Sequence, residues 1–155
     1  MDYRAARPQD AGALAHVFFR AVREGAASAY TCEERAAWAP KEPEAEAWQA
    51  RIAGLTTVVA EDQSGIVGFM SLNTDDGDLD LAFVLPEAKG TGVAKALYAM
   101  IENHARSRKI RRLHTRASHL ARPFFERQGW TVQRENQVER QGVTLTNWIM
   151  DKTLT

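Results

Sequence analysis

The run FVLPEAKGTGVAKALYAMIENHA, residues 83–105, constrains the fold more than any other part of the sequence. An apolar stretch stops at Pro86, and a short loop carries Gly90 and Gly92 between Lys89 and Lys95. Apolar side chains then recur at Val93, Leu97, Met100 and Ile101, the spacing of one helix face. A strand that ends here hands over, through a tight glycine turn, to a helix running from about Thr91 to Ser107. The first amides of a helix have no intrahelical acceptor and lie at the positive end of its dipole, so such an end attracts phosphate. Glycine permits positive φ and removes the Cβ atoms that would keep a bulky anion away, while Lys89 and Lys95 put charge at the rim. A plain tight turn is the other explanation of a GxG pair. The Walker spacing is absent, and a dinucleotide fingerprint needs a small residue where Lys95 stands.

Around this unit the chain reads as β-α-α-β-β-β-α-β-α-β-β. DYRAAR is a short strand, and Leu14, Val17, Phe18, Ala21 and Val22 mark an amphipathic helix; PEAEAWQARIAG gives a looser second helix closing on Gly54. WAPKEPEAEAW reads as the connection between the two. TTVVAED and GIVGFMSL flank a hairpin turn, and DGDLDLAFVL is a third strand whose alternation puts Leu79, Leu81, Phe83 and Leu85 on one face. A strand near RLHTRA, a short helix over RPFFERQGW and two final strands meeting at Gln141 and Gly142 complete the order. Alternating strands and helices imply an α+β fold, a mixed sheet with helices on both faces.

With 155 residues, 45% of them apolar, one domain spanning 1–155 is expected. Lys+Arg and Asp+Glu both number 20, so no broad positive field draws nucleic acid or an anionic membrane, and any anion is captured locally. Cys32 is the single cysteine, which excludes an internal disulfide and a paired-cysteine zinc site and fits a reducing cytoplasm. The four histidines are scattered and suggest no metal. The N-terminus lacks the layout of an export signal, and no run approaches the ~18–20 apolar residues that span a bilayer, so a soluble cytoplasmic protein is expected.

FVLPEAKGTGVAKALY resembles the acyl-CoA signature of the GNAT superfamily of N-acetyltransferases, Gln/Arg-x-x-Gly-x-Gly/Ala after a strand ending in Val-x-Pro. Lys89 stands at the Gln/Arg position, Gly92 at the glycine and Ala94 at the last small residue. ASHLARPFFERQGW is similar to that family's second marker, Asn-x-x-Ala-x-x-Phe/Leu-Tyr-Glu-x-x-Gly-Phe, with Ser118 at the Asn, Ala121 at the Ala and Phe125 at the Tyr. Together with the element order, the resemblance covers nearly the whole chain. It implies a GNAT-like, mainly antiparallel sheet with two splayed parallel strands at the cofactor site. Acetyl-CoA would be the acyl donor, its pantetheine pairing with the backbone of Phe83, Val84 and Leu85. Its pyrophosphate would lie on the amides of Gly90, Thr91, Gly92, Val93, Ala94 and Lys95 with Lys89 at the rim, and Ser118 and Phe125 would also bind the cofactor. The Val84 N–H would polarise the acyl carbonyl, and a primary amine of a small molecule or peptide would attack it directly. Homodimers are common among such proteins.

Proton handling is open at this stage. The resemblance assigns the acid to a tyrosine, and Phe125 has no hydroxyl; Tyr98, Tyr30 and Ser118 are the other hydroxyls available, and Tyr98 reads better as packing. Strand alternation sets Asp78 and Asp80 on the side of Val84, which makes Asp80 the preferred base and Asp78 the second; a solvated strand start is the alternative for both. The acceptor pocket is expected from EGAASAYTCEERAAW, with Tyr30, Glu33, Glu34 and Trp38, and from the last hairpin. A non-catalytic acyl-CoA sensor is the alternative function, motivated by Phe125, and a protein-interaction domain is the weakest reading.

Overall fold

The computed structural model describes residues 1–155. Seven strands form one sheet in the order β1-β2-β3-β4-β5-β7-β6. They are β1 (Asp2–Ala5), β2 (Thr56–Asp62), β3 (Gly65–Asn73), β4 (Asp78–Val84), β5 (Arg112–Ala117), β6 (Thr131–Arg140) and β7 (Val143–Thr153). Every neighbouring pair is antiparallel except β4 and β5, which run parallel and share the single register pair Asp78–His114. The helices are α1 (Ala11–Arg20), α2 (Cys32–Trp38), α3 (Ala45–Ile52), α4 (Val93–Ser107) and α5 (Ala121–Arg127). The mixed sheet read from the sequence is therefore present, as are the two parallel strands that part company. No helix is long and apolar enough to cross a membrane.

Neighbouring residues of β3 show how the layers divide. Phe69 packs with Trp48 of α3 and Phe83, and Phe18 of α1 stacks on Trp48 with ring centroids 4.8 Å apart, so this face belongs to α1 and α3. Gly68 points the other way, toward α4. A Cβ at Gly68 would lie 2.9 Å from Val84 Cγ1 and 3.2 Å from both Leu97 Cδ1 and Val93 Cγ1. The missing side chain thus lets α4 sit against the sheet directly behind Val84. Gly68→Ala is expected to destabilise the fold by about 1–3 kcal/mol, the usual cost of overpacking, read as a lowered urea midpoint at unchanged slope.

Two local features depart from the sequence reading. The segment read as an acceptor-side connection contains α2, because Thr31 and Glu34 form a capping box. Thr31 Oγ1 accepts from the Glu34 amide at 3.1 Å, and Glu34 Oε1 accepts from the Thr31 amide at 2.8 Å. In β4, Leu81 pairs with Ser71 but Leu79 pairs with Leu72, so Asp80 is the extra residue of a β-bulge. The bulge breaks the expected alternation. Leu79 shares the α4 face with Leu72, whereas Leu81 and Phe83 share the α3 face with Ser71 and Phe69. Asp80 faces α3 as well, opposite to Val84, and is held there by Arg51 at 2.7 Å.

Candidate active site

Above the Asp78–His114 pair, β4 and β5 make no further ladder contacts and open into a V. The Leu85 amide donates to the Val67 carbonyl at 2.8 Å. By the period of two along a strand, the backbone groups of Phe83 and Leu85 point to β3, and those of Ala82 and Val84 point into the opening. Of the three residues expected to pair with the cofactor, Val84 alone presents a free amide there. Leu85 is buried, its N–H already used within the sheet.

The opening leads into a cleft of about 420 Å³, lined in part by Ala82, Phe83, Val84, Lys89, Gly90, Gly92, Ala94, Lys95, Ser118 and Phe125. Thr91 and Val93 lie outside the lining: Val93 is buried under α4, and the Thr91 hydroxyl bonds back to the Ala88 carbonyl at 2.5 Å. At the head of the cleft, Gly90 and Gly92 adopt φ of 75° and 89°, conformations that side-chain-bearing residues rarely take. A Cβ at either would meet no protein atom within 4 Å, so the space over them is open. Gly92 is the N-cap of α4, and the first bond of that helix runs from the Ala96 amide to the Gly92 carbonyl at 3.1 Å. The amides of Gly92, Val93, Ala94 and Lys95 consequently have no protein acceptor and converge on that space. Lys89, Lys95 and Arg127 are exposed at its rim.

These features fit a long molecule with an anionic end. The bare helix start suits a pyrophosphate, the V suits an extended arm that borrows the unused edge of β4, and the volume lies in the ~300–1,000 Å³ range of ligand pockets.

A family model described as "Acetyltransferase (GNAT) domain" matches residues 26–153. The curated N-acetyltransferase YafP of Escherichia coli (strain K12), itself uncharacterised, is 32% identical over 145 residues, covering 93% of this chain and 90% of YafP. The chain belongs to the GNAT acetyltransferases. The crystal structure of a GCN5-related N-acetyltransferase from Rhodopseudomonas palustris agrees: TM-score 0.91 at 31% identity, over 99% of this chain and 95% of that one. The PaiA N-acetyltransferase of Thermoplasma acidophilum, solved in complex with coenzyme A, shares the fold with a TM-score of 0.79 at 17% identity, over 99% and 98% of the two chains. As a GNAT acetyltransferase the protein takes its acyl group from acetyl-CoA.

The structure places this GNAT protein's candidate proton-handling groups clearly. Phe125 is buried against Tyr98 and Trp130 and carries no hydroxyl. The Tyr98 hydroxyl accepts from Trp130 Nε1 at 2.9 Å and donates to Glu102 at 3.3 Å, and burial pushes its pKa up to about 12; it is a packing residue. The Tyr30 hydroxyl donates to the Thr146 carbonyl at 2.7 Å and accepts from the His119 amide at 3.0 Å. It ties the loop before α2 to β7 and to the start of α5, and burial raises its pKa. His119 stacks on Tyr30 at 4.8 Å, and its Nδ1 accepts from Trp148 Nε1 at 3.0 Å, leaving the ring proton on Nε2. The Tyr30 hydroxyl is committed on both sides, and neither Tyr30 nor His119 lines the cleft.

The carboxylates lie at the foot of the V. Asp80 is ion-paired with Arg51, its side chain 27% exposed, and neither Asp80 nor Asp78 lines the cleft itself. Beside it, burial and the Asp80 charge raise the pKa of Asp78, while His114, with Nδ1 3.5 Å away, opposes the shift. The expectation that both carboxylates share a face with Val84 is therefore corrected: the bulge at Asp80 turns them to the α3 side.

Sequence reasoning missed one whole wall of the cleft. After Arg20, α1 continues as a π-helical turn, Ala21–Gly25, which lines the cleft with Ala21, Val22 and Gly25, and Ala26 follows it. Such turns recur at functional sites, and nothing in the sequence AVREG marks this one. Phe124 and Arg127 of α5 were also missed as lining, whereas Trp38, expected on the acceptor side, does line the cleft. Trp38 belongs to a row of rings, Phe83, Trp38, Tyr30, His119 and Trp148, in successive contact.

Proposed function

We propose that this GNAT acetyltransferase moves the acetyl group of acetyl-CoA to a primary amine of a small molecule or peptide by direct attack. The observation that carries the reading is the unpaired Val84 amide in the V beneath a bare glycine-started helix. Acetyl-CoA supplies an activated thioester. The amides of Gly92 to Lys95 hold its diphosphate, with Gly90 leaving room and Lys89, Lys95 and Arg127 adding charge. The backbone of Ala82 and Val84 extends the arm along β4, and the Val84 N–H donates to the acyl oxygen, where negative charge grows as the amine attacks. Phe125 and Phe124 keep the arm's surroundings apolar.

The acceptor amine arrives protonated near pH 7 and must lose a proton before it attacks. Asp78, with its raised pKa, is the better poised base, acting through water; Asp80 is committed to Arg51. Trp38, Tyr30 and the last hairpin frame the acceptor side, and the row of rings offers an apolar wall to its body.

The test is consumption of acetyl-CoA with a panel of polyamines, amino acids, aromatic amines and short peptides, with the product identified by mass. Steady turnover of at least one amine to its acetamide is expected. Tight acetyl-CoA binding without turnover of any amine would instead support the sensor reading, which Phe125 favours because the position lacks a proton donor.

A further inference from the structure

Among the hydroxyls around the cleft, Ser118 is the one whose proton is uncommitted. Tyr98 donates to Glu102, Tyr30 donates to the Thr146 carbonyl, and Thr91 donates to the Ala88 carbonyl. Ser118 Oγ accepts from the Ala121 amide at 3.1 Å, capping α5, and that bond uses a lone pair and leaves the O–H free. Ser118 also occupies the level of the reaction. Counting along both strands from the Asp78–His114 pair, and giving Asp80 to the bulge, Ser118 stands level with Phe83, across the V from the Val84 amide. It lines the cleft, and Phe125, a hydroxyl-free ring, lines the same wall.

We propose that the Ser118 hydroxyl donates a hydrogen bond to the coenzyme A sulfur as the C–S bond breaks. The proposal rests on the acetyl-transfer reading above. The amine nitrogen forms the new bond to the acetyl carbon, and the C–S electron pair passes to sulfur. The proton released by nitrogen reaches Asp78 through water, since Asp78 lies four steps down β4 from this level once the bulge is counted. Serine is far too weak an acid to surrender its proton to a thiolate, so Ser118 stays protonated and stabilises the sulfur anion by hydrogen bonding alone; solvent then protonates the thiolate. Val84 on one arm and Ser118 on the other would thus hold the two atoms that gain charge, acyl oxygen and sulfur.

The test uses the full chain in a Cys32→Ser background, which removes the protein's own exposed thiol. The thiol of bound coenzyme A is titrated by its ultraviolet thiolate absorbance, and kcat and KM are measured in parallel. Ser118→Ala removes both cap and donor, Ser118→Asp keeps a capping acceptor without a proton to donate, and Ser118→Thr keeps both. The bound thiol is expected to be about tenfold more acidic with Ser or Thr at 118 than with Ala, as a hydrogen bond to a charged group warrants. Both Ala and Asp are expected to lower kcat by about ten- to a hundredfold, with Thr retaining most of it. Equal thiol acidity with Ser and with Ala, or full kcat with Asp, overturns the proposal and leaves Ser118 a helix cap. Failure of the parent protein to bind coenzyme A at all overturns the acetyl-transfer reading along with it, whereas binding with equal acidities overturns Ser118 alone.

Discussion

Gly92→Asp is expected to weaken acetyl-CoA binding by at least about a hundredfold. Two costs combine. Gly92 has φ of 89°, where a side chain costs roughly 1–2 kcal/mol. The new Cβ would enter the open space over the helix start and set a carboxylate against a diphosphate. The strain falls on the folded protein with and without ligand; the occupied space and the charge repulsion, roughly 3 kcal/mol together at about 1.4 kcal/mol per tenfold, give the stated loss of binding. Folding bears the strain of roughly 1–2 kcal/mol but no clash, because a Cβ at 92 meets no protein atom within 4 Å. Calorimetric titration with acetyl-CoA measures the effect, and thermal melts without ligand check the fold. Gly92→Ala, which puts a Cβ into that space without the charge, should lose only about tenfold. Equal losses for Ala and Asp would mean that no anion sits over this turn.

Asp78→Asn is expected to lower kcat by about a hundredfold or more with a small change in KM, the range for loss of a general base. Asp80→Asn should change kcat and KM little, since Asp80 is paired with Arg51 and does not line the cleft. The pH profile separates Asp78 from the acceptor. Burial first, then the Asp80 charge, raises the Asp78 pKa above the ordinary carboxylate value. A base works only when ionised, so kcat should fall as pH drops through that raised pKa, and this limb should vanish in Asp78→Asn. The limb due to the amine itself moves with the amine's own pKa from one acceptor to the next; the Asp78 limb stays in place. The same shift links to stability with a definite sign. The folded chain binds this proton more tightly than the unfolded chain, so the contribution from Asp78 is largest below the unfolded pKa and is lost as pH rises through the folded one. An unchanged acid limb in Asp78→Asn would move the base elsewhere.

The cofactor half was legible in the sequence because its constraints are local. A strand, a glycine turn and a helix face follow one another within residues 83–105, and the positive φ at Gly90 and Gly92 is what those residues allow. The orientation of Asp80 was not legible, since a bulge depends on how β4 registers against β3 and leaves no mark in an alternating pattern. The amide of Leu85 was assigned to the cofactor for a similar reason: which N–H groups face a neighbour is settled by pairing across strands, here with Val67. Helix α2 did leave a signal, Thr31-x-x-Glu34, which the aromatic and charged character of the segment obscured. The π-helical turn could not be read, because Ala21 to Gly25 continue the periodicity of α1 and only tertiary packing selects the wider winding. Tyr30 and His119 meet Thr146 and Trp148 across more than 25 residues of sequence, contacts invisible to any local pattern.

A crystal structure of the protein grown with coenzyme A tests the central claim most directly. The diphosphate oxygens are expected within about 2.7–3.2 Å of the amide nitrogens of Gly92 to Lys95, with the pantetheine arm lying in the V beside Val84. Phosphates bound away from this helix start, or an arm that leaves the Val84 amide unpaired, would contradict it.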